Sequence, residues 1–224
     1  MEVLKYRSVF DIIGPVMVGP SSSHTAGAAR IGKVCRMIFG ERPDSIEFDL
    51  YESFAKTYRG HGTDVALVGG ILGMDPDDPR LSDSLKIAYE EGMEVLFVPK
   101  KEIADHPNTV TMHLKKDDFK MSVTGVSIGG GNIQITELNG YSMSLSMGVP
   151  TYIIIHQDVP GLLSKISTKF AEKGLNIGKV TMTRQTKGDN GIILAEIDDK
   201  PEDADELRRE IKSLHDVLSV TYFK

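Results

Sequence analysis

The chain has 224 residues, 40% hydrophobic and 26% charged, with a formal net charge of −6. Such a composition suits one large or two small globular cores and excludes disordered, fibrous and membrane-spanning classes. An acidic chain also argues against broad nucleic-acid binding, but a small anion needs only one local pocket.

There is one cysteine, Cys35, so a disulfide within the chain and a cysteine-built metal cage are both excluded. The opening MEVLKYRSVFDIIG lacks an apolar run of signal-peptide length. No stretch approaches the ~18 apolar residues of a membrane span. The cytoplasm is the expected location.

In chain order, the first predicted element is a helix over residues 22–39, with Ala28, Ile31, Cys35 and Ile38 on one buried stripe. SIEFDLYES alternates Ile46, Phe48 and Leu50, a strand with one buried face. HGTDVALVGGILG predicts a helix over 63–72, with Thr63 or Asp64 near its start. SDSLKIAYEEG predicts an amphipathic helix stopped at Gly92. MEVLFVP is a strand, TVTMHLKKDDFKMSVTGV a hairpin, and SIGGGNIQITEL extends the sheet past a glycine break.

A boundary is expected near 147–150, dividing the chain into 1–147 and 148–224. The second part predicts strand 151–156, helix 160–173, strands 176–184 and 190–198, helix 202–213 and strand 217–223. This βαββαβ order is ferredoxin-like, and the fold class is α+β.

Chemistry-bearing residues concentrate in the first part. GPSSSHTAGAARIG places Ser21, Ser22, Ser23, His24 and Thr25 between a Gly-Pro break and small residues. Capping explains one serine; a helix start with free amides also suits a carboxylate or phosphate. The following Ala26, Gly27, Ala28 and Ala29 permit close backbone approach. In RGHGTD, His61 lies between glycines before a helix, either in a polar loop capped by Asp64 or held free for acid–base work. DHPNTVTMH sets His106 and Asn108 around Pro107, a turn or a site wall. His113, His156 and His215 read as structural or solvent-facing, and Cys35 as a core thiol. SIGGGN lacks dinucleotide-fingerprint spacing, so its glycines mark a bulge or a backbone approached by a ligand. DVPGLL places Asp158 near a helix cap and Pro160 near the first helical position. Asn176 is expected close to that loop, where the two would hold a small amino acid.

SVFDIIGPVMVGPSSSHTAGAARIG, RGHGTD, HPNT and SIGGGN, in this order, resemble the beta subunit of bacterial iron–sulfur-dependent L-serine dehydratase, over roughly residues 5–147. DVPGLLSKISTKFAEKGLNIGKVTMTR resembles an ACT domain, an amino-acid-sensing module. The resemblance implies that the first domain is built like the allosteric substrate-binding domain of some phosphoglycerate dehydrogenases. It implies that L-serine is converted to pyruvate and ammonia, with a 4Fe-4S cluster carried by a separate alpha subunit and acting as Lewis acid on the hydroxyl. It places His24 and His61 as catalytic candidates. Ser21, Ser22, Ser23, Thr25, Thr63, His106 and Asn108 become substrate-binding candidates, with Gly129–Gly131 a weaker one. No metal is expected in this chain. The implied effector site is Asp158, Gly161, Leu162 and Asn176, taking an amino acid or a cation, with homo-oligomers forming through the ACT domains. The alternative reading is a non-catalytic amino-acid- or anion-sensing regulatory module. A metal hydrolase using His24, His61 and His106 is a third reading, without ligand-like spacing.

Overall fold

The structure, a computed structural model, describes residues 16–146, 148–184 and 186–223. The SVFDIIGP part of the family-like segment and Met147, at the expected boundary, lie outside the described residues. The chain divides into two compact units, Met1–Gly140 and Tyr141–Lys224.

In the first unit a π-helical turn, Ser22–Gly27, leads into α1, Ala28–Phe39. Strand β1, Ser45–Leu50, is followed by α2, Glu52–Thr57, and α3, Thr63–Ile71. A 3-10 turn, Pro79–Asp83, precedes α4, Ser84–Glu90, and β2, Glu94–Pro99. Strands β3, Thr109–Lys116, β4, Phe119–Gly129, and β5, Asn132–Leu138, complete this unit. The order is β2-β1-β3-β4-β5. Only β1–β2 is parallel, because α2 to α4 form its crossover; the other pairs are antiparallel, and β3–β4 and β4–β5 are hairpins.

The expected stripe of α1 is buried: Ala28, Ile31 and Cys35 are fully inaccessible and Ile38 is 8% exposed. It packs against β4 and β5, where Val123 and Ile135 are buried. Ile31 sits over Gly125, where an added Cβ would lie 2.6 Å from Ile31 Cγ2.

The small residues of α1 serve packing rather than a ligand. A Cβ on Gly70 of α3 would come 2.1 Å from the Ala29 carbonyl and 2.9 Å from Gly32 Cα. One on Gly32 would come 2.3 Å from the Leu67 carbonyl. The two helices therefore cross backbone to backbone, which residues with no side chain alone permit. Helix α3 is buried from Ala66 to Ile71, so it shows no polar face for a sequence pattern to betray.

The second unit contains β6, Tyr141–Ser146, then β7, Thr151–Gln157, α5, Leu162–Glu172, β8, Ile177–Arg184, β9, Asn190–Ile197, α6, Ala204–Lys212, and β10, Val217–Phe223. The sheet order β10-β7-β9-β8 is the ferredoxin-like one, and all pairs are antiparallel. Tyr152, Ile154, Ile193 and Ala195 meet Leu162, Ile166, Phe170, Leu207 and Ile211 of the helices in one core. Asp203 caps α6, accepting from the Glu206 N–H at 2.8 Å.

Two elements were not expected from sequence, α2 and β6. Helix α2 is too short to show periodicity, and its first residue, Glu52, has φ +41°.

Candidate active site

The polar cluster is built around the start of the first helix. Ser21 has extended backbone and is the N-cap: its Oγ accepts from the His24 N–H at 3.2 Å. The turn that follows is π-helical, a wider turn often found at functional sites. It folds His24 back over the cap. His24 Nδ1 lies 3.0 Å from Ser23 Oγ and 3.4 Å from Ser21 Oγ, and the two hydroxyls are 3.3 Å apart. His24 Nε2 lies 3.0 Å from Ser53 Oγ on α2. Phe54 presses against the ring edge-on at 5.3 Å.

His61 stands beside this group. Its ring centroid is 5.0 Å from that of His24, with the planes at 84°. Thr25 Oγ1 donates to the His61 carbonyl at 3.2 Å, so the helix start holds the His61 loop. Gly62, at φ +69°, turns the chain into α3, a conformation costly for a residue with a Cβ. Unlike buried His24, the His61 ring is exposed and takes no hydrogen bond among the described residues. Burial, and secondarily the charge of neighbouring His61, hold His24 below the ordinary histidine range. Burial thus favours the uncharged imidazole over the protonated ring.

The HPNT loop forms an adjoining wall. The Ser53 N–H donates to the Pro107 carbonyl at 2.9 Å. His106 Nδ1 accepts from the Asn108 N–H at 3.2 Å, which puts the proton of the neutral ring on Nε2. Asn108 Nδ2 donates to the Ser127 carbonyl at 3.4 Å, and the Ser127 N–H to the Asn108 carbonyl at 3.0 Å. Asn108 thus joins strands, and the half-buried His106 is the polar tip of its loop.

Other expected contacts sit differently. Thr63 is fully buried, and its hydroxyl has no partner among the described residues. Asp64 does not cap α3; it accepts from the Val65 N–H at 2.9 Å, and burial raises its carboxyl. The glycine run has a local explanation. Gly129 pairs with Asn132, and Gly130 and Gly131, at φ +61° and +79°, form the two-residue turn between β4 and β5. The register shifts between Ser127 and Gly129, so a bulge precedes the turn. Arg30 Nη1 holds that turn through the Gly131 carbonyl at 2.7 Å.

Of the remaining histidines, His113 is exposed, 3.2 Å from Asp49 Oδ2. His156 is fully buried, with Nδ1 donating to the Gln157 carbonyl at 2.8 Å, and His215 is exposed beside Asp216.

The expected effector residues do not meet within one chain. Asp158 is not a cap of α5: it accepts from the Gly188 N–H at 3.1 Å and pairs with Arg184, and Gly161 at φ +83° precedes Leu162. Pro160 accordingly lies outside the helix. Those donors hold the Asp158 carboxyl below the usual carboxylate range. Asn176 donates instead to Asp198. Strand β8 runs parallel to β7 across β9, so Asn176 lies at the Thr151 end of the sheet and Asp158 at the Gln157 end. The strand rise separates them by about 20 Å.

Sequence reasoning missed Ser53. It lies in LYESFAK, which carries no motif, and only a contact across 29 positions reveals it.

The chain's residues do not fit an iron–sulfur cluster of their own. Cys35 is the one cysteine and is buried in the α1 stripe, where burial pushes its thiol up. Among the described residues no three His, Cys, Asp or Glu side chains gather as a metal site. No helix among them is long and apolar enough to cross a membrane.

The arrangement is a wall of hydroxyls and two imidazoles, one held and one free, followed in sequence by a ferredoxin-like fold. Residues 8–84 match the serine dehydratase beta chain family, and residues 153–219 match the small-subunit-like ACT domain of AHAS. The chain is 42% identical to a probable L-serine dehydratase beta chain of Bacillus subtilis, over 97% of this chain and 98% of that one. It is 38% identical to the L-serine dehydratase beta chain of Peptoniphilus asaccharolyticus, over 87% and 88% of the two chains. Against L-serine dehydratase TdcG of Escherichia coli it is 32% identical, over 64% of this chain and 37% of that protein. These matches define a dehydratase half followed by an ACT-like domain. The chain belongs to the L-serine dehydratase beta-chain family.

Proposed function

We propose that this chain is the beta subunit of an L-serine dehydratase, which deaminates L-serine to pyruvate and ammonia together with a cluster-bearing alpha subunit. The observation that carries the reading is the exposed, unpartnered ring of His61, 5.0 Å from a His24 held on both sides by hydroxyls. Elimination needs a base for the α-proton and a grip on the carboxylate. His61 is the base, since its ring is free to accept a proton. The half-buried hydroxyl of Ser22, at a helix start, suits the carboxylate. The departing hydroxyl is left to the alpha subunit's 4Fe-4S cluster, since the lone Cys35 cannot hold one. Loss of proton and hydroxyl leaves aminoacrylate, which tautomerises and hydrolyses to pyruvate and ammonia.

Functionally, residues 1–147 act in turnover and 148–224 in sensing; the complete βαββαβ run from Thr151 supports this division. The mixed sheet of the first unit suits a relationship to the allosteric substrate-binding domain of some phosphoglycerate dehydrogenases. Edge strand β8, with Val180 and Met182 41% and 42% exposed, supports homo-oligomers through the ACT units. An effector site using Asp158, Gly161, Leu162 and Asn176 together then requires Asn176 from a second copy. An amino acid or a cation is its expected ligand. A cytoplasmic setting suits a chain whose cysteine is free.

The test is co-expression with candidate alpha chains and an anaerobic assay of pyruvate from L-serine. Turnover appears only with both chains, and His61→Ala lowers it by about 10²–10⁴. Turnover by this chain alone defeats the proposal. His61→Ala turnover within a few-fold of wild type supports the alternative, a purely regulatory module.

A further inference from the structure

We propose that Ser53 is a positioning residue for His24: together with Ser21 and Ser23 it holds the imidazole as the Nε2–H tautomer and becomes itself the outermost hydroxyl donor of the wall. The inference rests on the site reading above but concerns a residue outside the family-like motifs.

One donor is fixed by the backbone, and we assign the hydroxyls in series from it. The His24 backbone N–H can only donate, and it donates to Ser21 Oγ at 3.2 Å. With Ser21's own hydrogen assigned to Ser23 Oγ at 3.3 Å, Ser23's goes to His24 Nδ1 at 3.0 Å. A neutral ring accepts at one nitrogen and donates at the other. With Nδ1 accepting, Nε2 donates to Ser53 Oγ at 3.0 Å. Ser53's hydrogen cannot return to a ring nitrogen that already bears one, so it points onward. The chain Ser21, Ser23, His24, Ser53 is thus a one-way series of donors.

Ser53 is held firmly enough to receive it. Its N–H is bound by the Pro107 carbonyl at 2.9 Å, and its carbonyl accepts from Thr57 Oγ1 at 2.7 Å. The next side chain, Phe54, is fully buried. The preceding Glu52 adopts φ +41°, an uncommon conformation for a residue with a Cβ, kept where the surroundings over-determine it. Four elements converge on the ring: the π-helical turn with Ser21 and Ser23, α2 with Ser53 and Phe54, the HPNT loop behind Ser53, and the loop with His61. His61 is the one titratable group among them whose ring touches His24.

The test uses the full chain labelled with ¹⁵N-histidine, whose six histidines are few enough to resolve. Long-range ¹H–¹⁵N spectra report which ring nitrogen bears the proton; His24→Gln identifies the His24 signals. The expected result is a His24 dominated by the Nε2–H form at neutral pH. Ser53→Ala weakens that preference by roughly three- to tenfold, the scale of one net hydrogen bond, and Ser53→Thr restores it. A wild-type His24 in the Nδ1–H form overturns the proposal, as does a folded Ser53→Ala chain with the wild-type tautomer ratio. The wild-type spectrum decides even where Ser53→Ala does not fold. The readout needs no turnover, so a failed pyruvate assay would defeat the catalytic reading and leave this one standing.

Discussion

His24 and His61 meet edge to face, ring centroids 5.0 Å apart, and only one of the two is exposed. The same histidine type thus occupies two environments. His24 has both nitrogens bound and is shielded by Phe54; His61 has its carbonyl held by Thr25 and its ring open. Division of labour between acid–base groups commonly rests on such a contrast.

The contrast has a measurable acid dependence. The folded pKa of His24 is lowered from 6.5, chiefly by burial. Between that lowered value and 6.5 the unfolded chain binds more protons, so stability rises with pH through this window. The neutral-form advantage is complete above 6.5 and is lost as pH falls through the folded value. We expect His24→Gln to flatten the slope of urea-unfolding stability across that window. An unchanged slope would refute the assignment.

Gly27 packs against Ser127. A Cβ at Gly27 would lie 2.1 Å from Ser127 Oγ and 2.8 Å from Ser127 Cβ. Gly27→Ala should cost about 1–3 kcal/mol by overpacking. Adding Ser127→Gly should recover part of it. Ser127 Oγ is buried with no partner among the described residues, so Ser127→Ala should be neutral or mildly stabilising. Denaturant titration of the wild type and these three variants checks each outcome.

The α1–α3 crossing is less forgiving, because a Cβ at Gly70 meets backbone: the Ala29 carbonyl at 2.1 Å and the Lys33 nitrogen at 2.7 Å. Gly70→Ala should therefore lose about 3 kcal/mol, at the upper end for overpacking. Gly92→Ala has open space but sits at φ +75°; its smaller cost, about 1 kcal/mol, should come from backbone strain. Thermal melts rank the two.

Cys35 should be inert. It is fully buried, and burial raises its thiol, so the reactive thiolate is suppressed. A thiol reagent should label it only on unfolding. Cys35→Ser should destabilise by about 1–3 kcal/mol through a buried, unpaired hydroxyl. Rapid labelling of the native chain would contradict this packing.

Much of this protein was legible in its sequence because the relevant forces act locally. The buried stripe Ala28, Ile31, Cys35, Ile38 follows from helical period, and the alternation in SIEFDL from strand period. The βαββαβ order could be read element by element, since each helix and strand there carries its own polar and apolar faces. His24 stood out because a cap needs one serine and its segment holds three, and His61 because it lies between two glycines before a helix.

What only the tertiary structure decided involves contacts without a period. Ser53 reaches His24 across 29 positions, from a helix too short to announce itself. Gly32 and Gly70 serve a helix crossing, and Gly130 and Gly131 a tight turn, although a string of glycines reads alike for turn, crossing or ligand. Asn176 and Asp158 lie at opposite ends of the second sheet, because β8 runs parallel to β7 with β9 between them. Sequence determines which residues prefer to be buried, capped or turned. Which polar groups then share one site depends on strand direction and helix crossing, and those are settled when the whole apolar surface is buried at once.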